Sequence, residues 1–272
     1  MKKQIIISGG LGNQMFQYAF YMSMKSRGIN CEINTSLFDL VKMHNGFELP
    51  KVFGVKYCKQ HSFLSRFLVR FFNKYKLRCV VYNEIPYVLN SSVFQSSSMI
   101  FNGNWICEDY FKDIEACIRS TFVFIDIDDR NLNLADELKA NNSVSIHIRR
   151  GDYLKLPSWF VCDENYYVKA INFIKQRVND PRFYVFSDDP LWSESFMLKM
   201  KVPYIIISHN RGSDSYKDMY LMSCCKHNIN ANSTFSWWGA WLNNNKEKIV
   251  VMPKKWTQNT RENPACMNWI KL

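Results

Sequence analysis

The stretch Val144-Ser-Ile-His-Ile-Arg-Arg-Gly-Asp-Tyr153 brings two arginines, a histidine and an aspartate together. Adjacent guanidiniums grip phosphate through paired N–H donors, so this cluster suits a phosphorylated ligand. The other reading is a solvated arginine pair with Asp152 as its ion partner, and these residues alone leave both open. Asn232-Ser-Thr-Phe-Ser236 offers hydroxyls and unpaired backbone N–H groups just before a helical pattern. A helix start of this kind attracts anions. Taken alone, Ser233 or Thr234 reads as a plain cap. Taken with Arg149 and Arg150 at another strand end, a diphosphate cradle becomes the better reading. Asp218 reads either as a surface charge or as an acceptor for the N–H groups of a purine. Asp126-Ile-Asp128 has the spacing that holds a metal–nucleotide pair in some sugar transferases. It precedes a helical pattern, so helix-start carboxylates are favoured over a metal site. Asp188-Asp189-Pro190 reads as a cap for the next helix rather than as a ligand contact.

The elements that must position these groups follow from periodicity. Val144, Ile146 and Ile148 alternate with Ser145, His147 and Arg149, the period of two that half-buries a strand. Both arginines then fall at a strand's carboxyl end, where open α/β sheets bind ligands. An Ile-rich strand is expected at 4–8, a glycine loop at 9–12 and a helix at 13–25. The glycines let the backbone approach a ligand; Gly-Gly-Leu-Gly-Asn-Gln does not match a dinucleotide fingerprint. Strands at 182–187, 204–208, 229–231 and 248–252 alternate with helices at 165–178, 214–226 and 237–242. That alternation predicts parallel βαβ units. The polar stretch 126–143 is the candidate linker.

The chain has 272 residues, of which 47% are hydrophobic and 15% aromatic, so a packed α/β core is expected. The net charge of +11 admits nucleic acid, anionic membrane or phosphorylated small molecules as partners. The dense Lys/Arg runs of nucleic-acid arms are missing, so nucleic acid is set aside. Nine cysteines without Cys-x-x-Cys spacing argue against a disulfide framework or a zinc site. The apolar start is too short for a signal peptide, and no run of about 18 apolar residues predicts a membrane span. A cytoplasmic location follows as an expectation. Residues 49–83 carry Lys and Arg but no Asp or Glu, with Phe63, Phe67, Phe71 and Tyr75 at helical spacing. A packed surface helix is the favoured reading; peripheral contact with the inner face of the plasma membrane is the alternative.

Four blocks occur in order: Gly9-Gly-Leu-Gly-Asn-Gln-Met-Phe-Gln-Tyr18, His147-Ile-Arg-Arg-Gly-Asp-Tyr153, Phe186-Ser-Asp-Asp189 and Asn232-Ser-Thr-Phe-Ser-Trp-Trp-Gly-Ala-Trp241. Together they resemble the α-1,2-fucosyltransferases of glycosyltransferase family 11, over nearly the whole chain. The resemblance implies a GT-B-like α/β fold with two Rossmann-type domains facing a cleft. We place an acceptor-side domain at 1–135 and a GDP-fucose-binding domain at 136–272. It implies inverting transfer of L-fucose from GDP-β-L-fucose to the 2-hydroxyl of a terminal galactose, in bacterial surface-glycan biosynthesis, with no metal and no further cofactor. The acceptor would be a galactose-terminated oligosaccharide, with lipid linkage a fit to the basic segment. Alternatives are another nucleotide-sugar donor and a non-catalytic binding relative.

By that resemblance His147, Arg149 and Arg150 lie near the nucleotide, and Ser233, Thr234 and Ser236 look like phosphate ligands. Asp218 looks like the guanine reader. Gly10, Gly12 and Asn13 form the loop near the reacting atoms. Either Arg149 or Arg150 would offset the charge that grows on the β-phosphate. Asp152 is the first candidate for the base that takes the acceptor's proton; an ion pair holding Arg149 or Arg150 is the equal alternative. Asn13 is an amide and only positions the acceptor or a water.

Overall fold

The computed structural model describes residues 2–39, 44–57 and 80–272. The chain divides into two compact units, Met1–Asp126 and Ile127–Leu272. In the first unit the strands are β1 (Lys3–Ile6), β2 (Cys31–Asn34), β3 (Val81–Asn83) and β4 (Ile100–Asn102). They form a parallel sheet in the order β2-β1-β4-β3. The Leu11–Ser26 helix carries the chain from β1 to β2. It buries Met15, Phe16, Ala19 and Phe20, the apolar stripe that its helical spacing dictates.

The second unit holds β5 (Ser143–Ile148), β6 (Arg182–Ser187), β7 (Tyr204–Ile207), β8 (His227–Ile229), β9 (Val250–Met252) and β10 (Ile270–Lys271). The order is β10-β9-β8-β5-β6-β7, and every pairing is parallel. One face packs Val144, Ile146, Phe183, Val185 and Ile229 against Tyr167, Ala170, Ile171 and Phe196 of the Glu164–Lys175 and Pro190–Met200 helices. The other packs Tyr184, Phe186 and Ile207 against Ala135, Leu138, Leu221 and Met222.

That second cluster explains where the units part. Asp128 caps the Asp129–Ala140 helix by accepting from the Asn131 N–H at 3.0 Å. Ala135 and Leu138 of this helix are buried in the second unit's core, so the helix travels with that unit. The division therefore falls at 126/127, ahead of the 135/136 boundary drawn from the sequence.

Strand β5 departs from the half-buried expectation, because all six of its residues are buried. It is an interior strand with helices on both faces, and its polar positions are satisfied or enclosed rather than solvated. The Ser145 hydroxyl accepts from Asn228 Nδ2 at 2.8 Å, on the neighbouring β8. The helix expected through Phe63–Tyr75 lies outside the described residues. No helix among the described residues is long and apolar enough to cross a membrane. The described cysteines are free, and Cys31, Cys107, Cys162, Cys225 and Cys266 are buried.

Candidate active site

The arginine loop leaves the carboxyl end of β5 and is fixed from β6. Asp188 accepts the Arg150 backbone N–H at 2.9 Å and pairs with Arg149 Nη1 at 2.9 Å. Arg149 Nη2 pairs with Asp152 at 2.8 Å, so both terminal nitrogens of Arg149 are committed. Arg150 is held differently. Its Nε donates to Asp189 at 3.2 Å and its guanidinium lies 4.0 Å from the Trp192 ring centroid. Its two Nη groups make no hydrogen bond among the described residues, which leaves a flat, oriented fork for an incoming oxyanion.

Asp189 has a second task. It caps the Pro190–Met200 helix by accepting from the Trp192 N–H at 3.2 Å, the role expected from the sequence. Gly151 has no room for a side chain: a Cβ there would stand 2.9 Å from Asp188 Oδ2.

His147 is buried behind this loop, its ring 5.9 Å from that of Phe235. Burial, with the nearby Arg149 charge, pushes its pKa down to about 3, so the ring is neutral at physiological pH. Its Nδ1 has no hydrogen-bond partner among the described residues, an uncommon state for an enclosed polar atom. The Tyr167 hydroxyl donates to the His147 carbonyl at 3.1 Å and fixes the strand end.

The hydroxyl-rich turn sits at the neighbouring strand. The Tyr153 hydroxyl donates to the Asn232 carbonyl at 3.2 Å and ties the arginine loop to it. Asn232 itself is structural, since its Nδ2 donates to the Trp159 and Trp256 carbonyls, each at 2.8 Å. Ser233 caps the Thr234–Leu242 helix, accepting from the Phe235 N–H at 3.3 Å. Thr234 is half-buried at the helix start. Ser236, in the first turn, is fully buried, and its hydroxyl faces the Ala231 and Ser233 carbonyls at 3.4 and 3.3 Å.

Asp218 belongs to a polar network. Its Oδ1 accepts from Asn210 Nδ2 at 2.8 Å, and Asn210 exchanges bonds with Asn131 at 2.9 and 3.0 Å. Burial raises its pKa to about 7, against the lowering effect of Asn210. The carboxyl is thus poised to ionise when N–H donors reach it. Asp128 is pulled well below the usual carboxylate range, first by Lys217 at 2.8 Å and then by Asn131. Its oxygens are spent on a cap and an ion pair, the helix-start role. Among the described residues, no three His, Cys, Asp or Glu side chains gather as a metal centre requires.

In the first unit the glycine loop follows β1. Gly9 has a φ of +76°, and a Cβ there would lie 3.0 Å from Asn13 Nδ2. Gly10 precedes the Leu11–Ser26 helix and accepts the Asn13 and Gln14 N–H groups at 3.0 and 3.1 Å. Gly12 is buried in the first turn. Two buried glutamines, which sequence reasoning passed over, hold the loop. Gln14 donates to the Gly9 and Gly46 carbonyls at 2.9 and 2.8 Å and accepts the Glu48 N–H at 2.9 Å. Gln17 accepts the Ser8 N–H at 2.9 Å and donates to the Gly103 carbonyl at 3.1 Å. Both lie inside the Gly9–Tyr18 block, which carried the available signal.

Comparison with known proteins places the chain in a family. The chain is 33% identical over 281 residues to an Escherichia coli protein named alpha-1,2-colitosyltransferase, covering 98% of this chain and 97% of that one. It is also 33% identical over 302 residues to the Escherichia coli O-antigen biosynthesis glycosyltransferase WbnK, covering 98% and 99%. Its fold matches Arabidopsis thaliana FUT1, solved in complex with GDP, with a TM-score of 0.52 at 12% identity over 97% of this chain and 75% of that one. The two parallel α/β units are of the GT-B type. The family model for glycosyl transferase family 11 matches residues 2–272, and the chain is a member of that glycosyltransferase family.

Proposed function

We propose that the protein transfers L-fucose from GDP-β-L-fucose to the 2-hydroxyl of a terminal galactose, with inversion, in the synthesis of a bacterial surface glycan. The observation that carries this reading is the Arg150 fork at the carboxyl end of the central strand, beside the Ser233 helix start. As the bond between fucose C1 and the β-phosphate oxygen lengthens, negative charge accumulates on the phosphate and positive charge on the sugar ring. A guanidinium already locked by Asp189 and Trp192 meets that charge without reorganising. The Ser233 hydroxyl and the first N–H groups of the Thr234–Leu242 helix suit the same diphosphate. Arg149, spent on Asp152 and Asp188, orients the loop. Asp218 receives the guanine N–H groups. No metal is needed in this scheme, and full turnover in EDTA is the expected result.

The test is an acceptor panel of β-galactosides with GDP-fucose, followed by linkage analysis. An α-1,2-fucosyl product supports the reading; no transfer to any galactoside defeats it. A second donor belongs in the same panel, because one 33% identical relative is named a colitosyltransferase. Colitose is fucose without its 3-hydroxyl, so GDP-colitose fits the same phosphate and guanine contacts.

A further inference from the structure

Within the second unit, two buried asparagines join the carboxylates of Asp128 and Asp218. Asn131 lies in the first turn of the Asp129–Ala140 helix, and Asn210 lies in the loop after β7. A buried amide needs two acceptors for its NH2 group and a donor for its oxygen. The asparagines meet half of that need for each other. Asn131 Nδ2 donates to Asn210 Oδ1 at 3.0 Å, and Asn210 Nδ2 donates to Asn131 Oδ1 at 2.9 Å. Each then has one donor left. Asn131 directs its own at Asp128, 3.1 and 2.9 Å from the two oxygens. Asn210 directs its own at Asp218 Oδ1, at 2.8 Å. The Asn131 oxygen also meets His209 Nε2 at 3.1 Å.

This pattern admits one orientation of each amide. Lys217, and then Asn131, hold the Asp128 carboxyl well below the usual range, so both its oxygens only accept. The Asn131 atom beside them must be the nitrogen, and its oxygen must face Asn210 and His209. His209 Nε2 therefore carries the hydrogen. Asn210 in turn has its nitrogen toward Asn131 Oδ1 and Asp218. Turned over, it would set its oxygen against two acceptors and leave buried donors unmade. The direction imposed at Asp128 thus fixes the far end. Asp218 Oδ1 is engaged, while Oδ2 accepts no hydrogen bond among the described residues.

We propose that Asn131 and Asn210 are positioning residues of the guanine subsite, holding the Asp218 carboxylate with Oδ1 engaged and Oδ2 left for the guanine N–H groups. This rests on the reading of Asp218 as the guanine acceptor given above. Guanine presents its N1–H and its 2-amine side by side, and a carboxylate meets such a pair only in a matching rotation. Asn210 sets that rotation before the nucleotide arrives, and Asn131 sets Asn210. The same bond favours the charged form, against the burial that raises the Asp218 pKa to about 7. The other charged groups nearby are turned elsewhere. Lys217 pairs with Asp128 at 2.8 Å and Asp214 at 3.6 Å, and Arg211 Nε donates to the Ser208 carbonyl. Arg130 and Asp136 lie on the Asp129–Ala140 helix, and the Thr234–Leu242 helix carries no charge. Burial lowers the pKa of His209, and likewise of His147 on β5 and His227 on β8. Burial pushes Tyr220, Cys224 and Cys225 of the Asp218 helix up. Between pH 7 and pH 9, then, Asp218 is the group whose ionisation the asparagines govern.

Asn210→Ala and Asn131→Ala, made in the full chain, test this by calorimetric titration with GDP at pH 7 and pH 9, beside wild type and Asp218→Asn. Asn210→Ala should bind GDP about tenfold more weakly than wild type at pH 7 and within about threefold of it at pH 9, where Asp218 ionises unaided. Asn131→Ala, one bond further away, should show the same pattern at about threefold at pH 7. Thermal melting reports whether each variant folds. A readout on the unsubstituted protein stands if neither does. In NMR of the wild type, the Asn210 side-chain amide protons should shift with the same midpoint as the Asp218 carboxyl carbon, and GDP should move that midpoint to lower pH. GDP affinity near wild type at pH 7 in folded Asn210→Ala, a loss equal at both pH values, or Asn210 amide protons blind to the Asp218 titration each overturns the proposal. Asp218→Asn binding GDP as the wild type does at both pH values would instead overturn the guanine reading itself.

Discussion

The two loops that carry the candidate chemistry are fixed in opposite ways. The arginine loop after β5 is held by ions: Asp152 and Asp188 on Arg149, Asp189 on Arg150. The glycine loop after β1 is held by neutral amides, Gln14 and Gln17, buried under the backbone they bind. Fixed cations are useful where charge is about to appear, and carboxylates are the partners that orient them in advance. Under the proposed transfer, a loop that receives an uncharged hydroxyl gains nothing from such charges, and amide bonds hold its shape without imposing a field on the sugar. The contrast predicts that substitutions in the first loop change catalysis and donor binding, while those in the second change acceptor use.

The largest effect should come from Arg150→Ala. With Asp189 and Trp192 in place but the fork gone, kcat is expected to fall about a thousandfold with the fold unchanged. Steady-state kinetics and thermal melting check both halves, and near-normal turnover would break the comparison at its strongest point. Gly151→Ala comes next. Its Cβ would push on Asp188 at 2.9 Å, displacing the partner of both arginines. A misplacement of about 1 Å in a catalytic group costs about a hundredfold, here read in kcat/KM for GDP-fucose.

A smaller effect follows from Asp218. A carboxylate that receives guanine N–H groups must be ionised, and with a pKa of about 7 it is mostly protonated at low pH. GDP affinity should fall about tenfold between pH 8 and pH 6, measured by calorimetry, since a binding-competent fraction scales the affinity. Asp218→Asn should flatten that dependence. The same shift has a consequence for stability. The folded pKa lies above the ordinary aspartate value of 3.8, so the stabilising contribution is full below pH 4 and is lost as pH rises through about 7. Asp218→Asn should therefore raise the melting temperature of the ligand-free protein at pH 8 and not at pH 3. Smallest is Gln17→Leu, which deletes the bonds between the two loops of the first unit. It should cost about 1–3 kcal/mol of stability. The acceptor KM should rise several-fold, while GDP affinity stays at the wild-type value.

Much of this was legible because it is local. The strand at Arg182–Ser187 has the bounds that its apolar run gave, and the Asp189 cap follows from Asp-Pro at a helix start. What escaped depends on distant partners. Ser145 and His147 read as outward-facing because polar residues in alternation imply solvent, yet Asn228 and Phe235 enclose them. Ser236 read as a phosphate ligand by resemblance; its contacts with the Ala231 and Ser233 carbonyls come from the local fold of the helix start. Asp188 stood in a recognisable block, but its grip on the Arg149 guanidinium and the Arg150 N–H crosses from β6 to β5.

The strand order has a further consequence during synthesis. The central strand β5 pairs on one side with β6, made soon after it, and on the other with β8, which begins at His227. A nascent chain that has emerged only through β7 can lay down β5, β6 and β7. It must leave the far edge of β5 open, with Ser145 and His147 lacking their cover. Such an edge invites pairing with another chain until β8 and β9 arrive to close it. The carboxyl end of β5 is thus covered only after β8 and β9 have emerged. Any ribosomal pause between Ile207 and His227 would lengthen the exposure of the strand that bears the arginines.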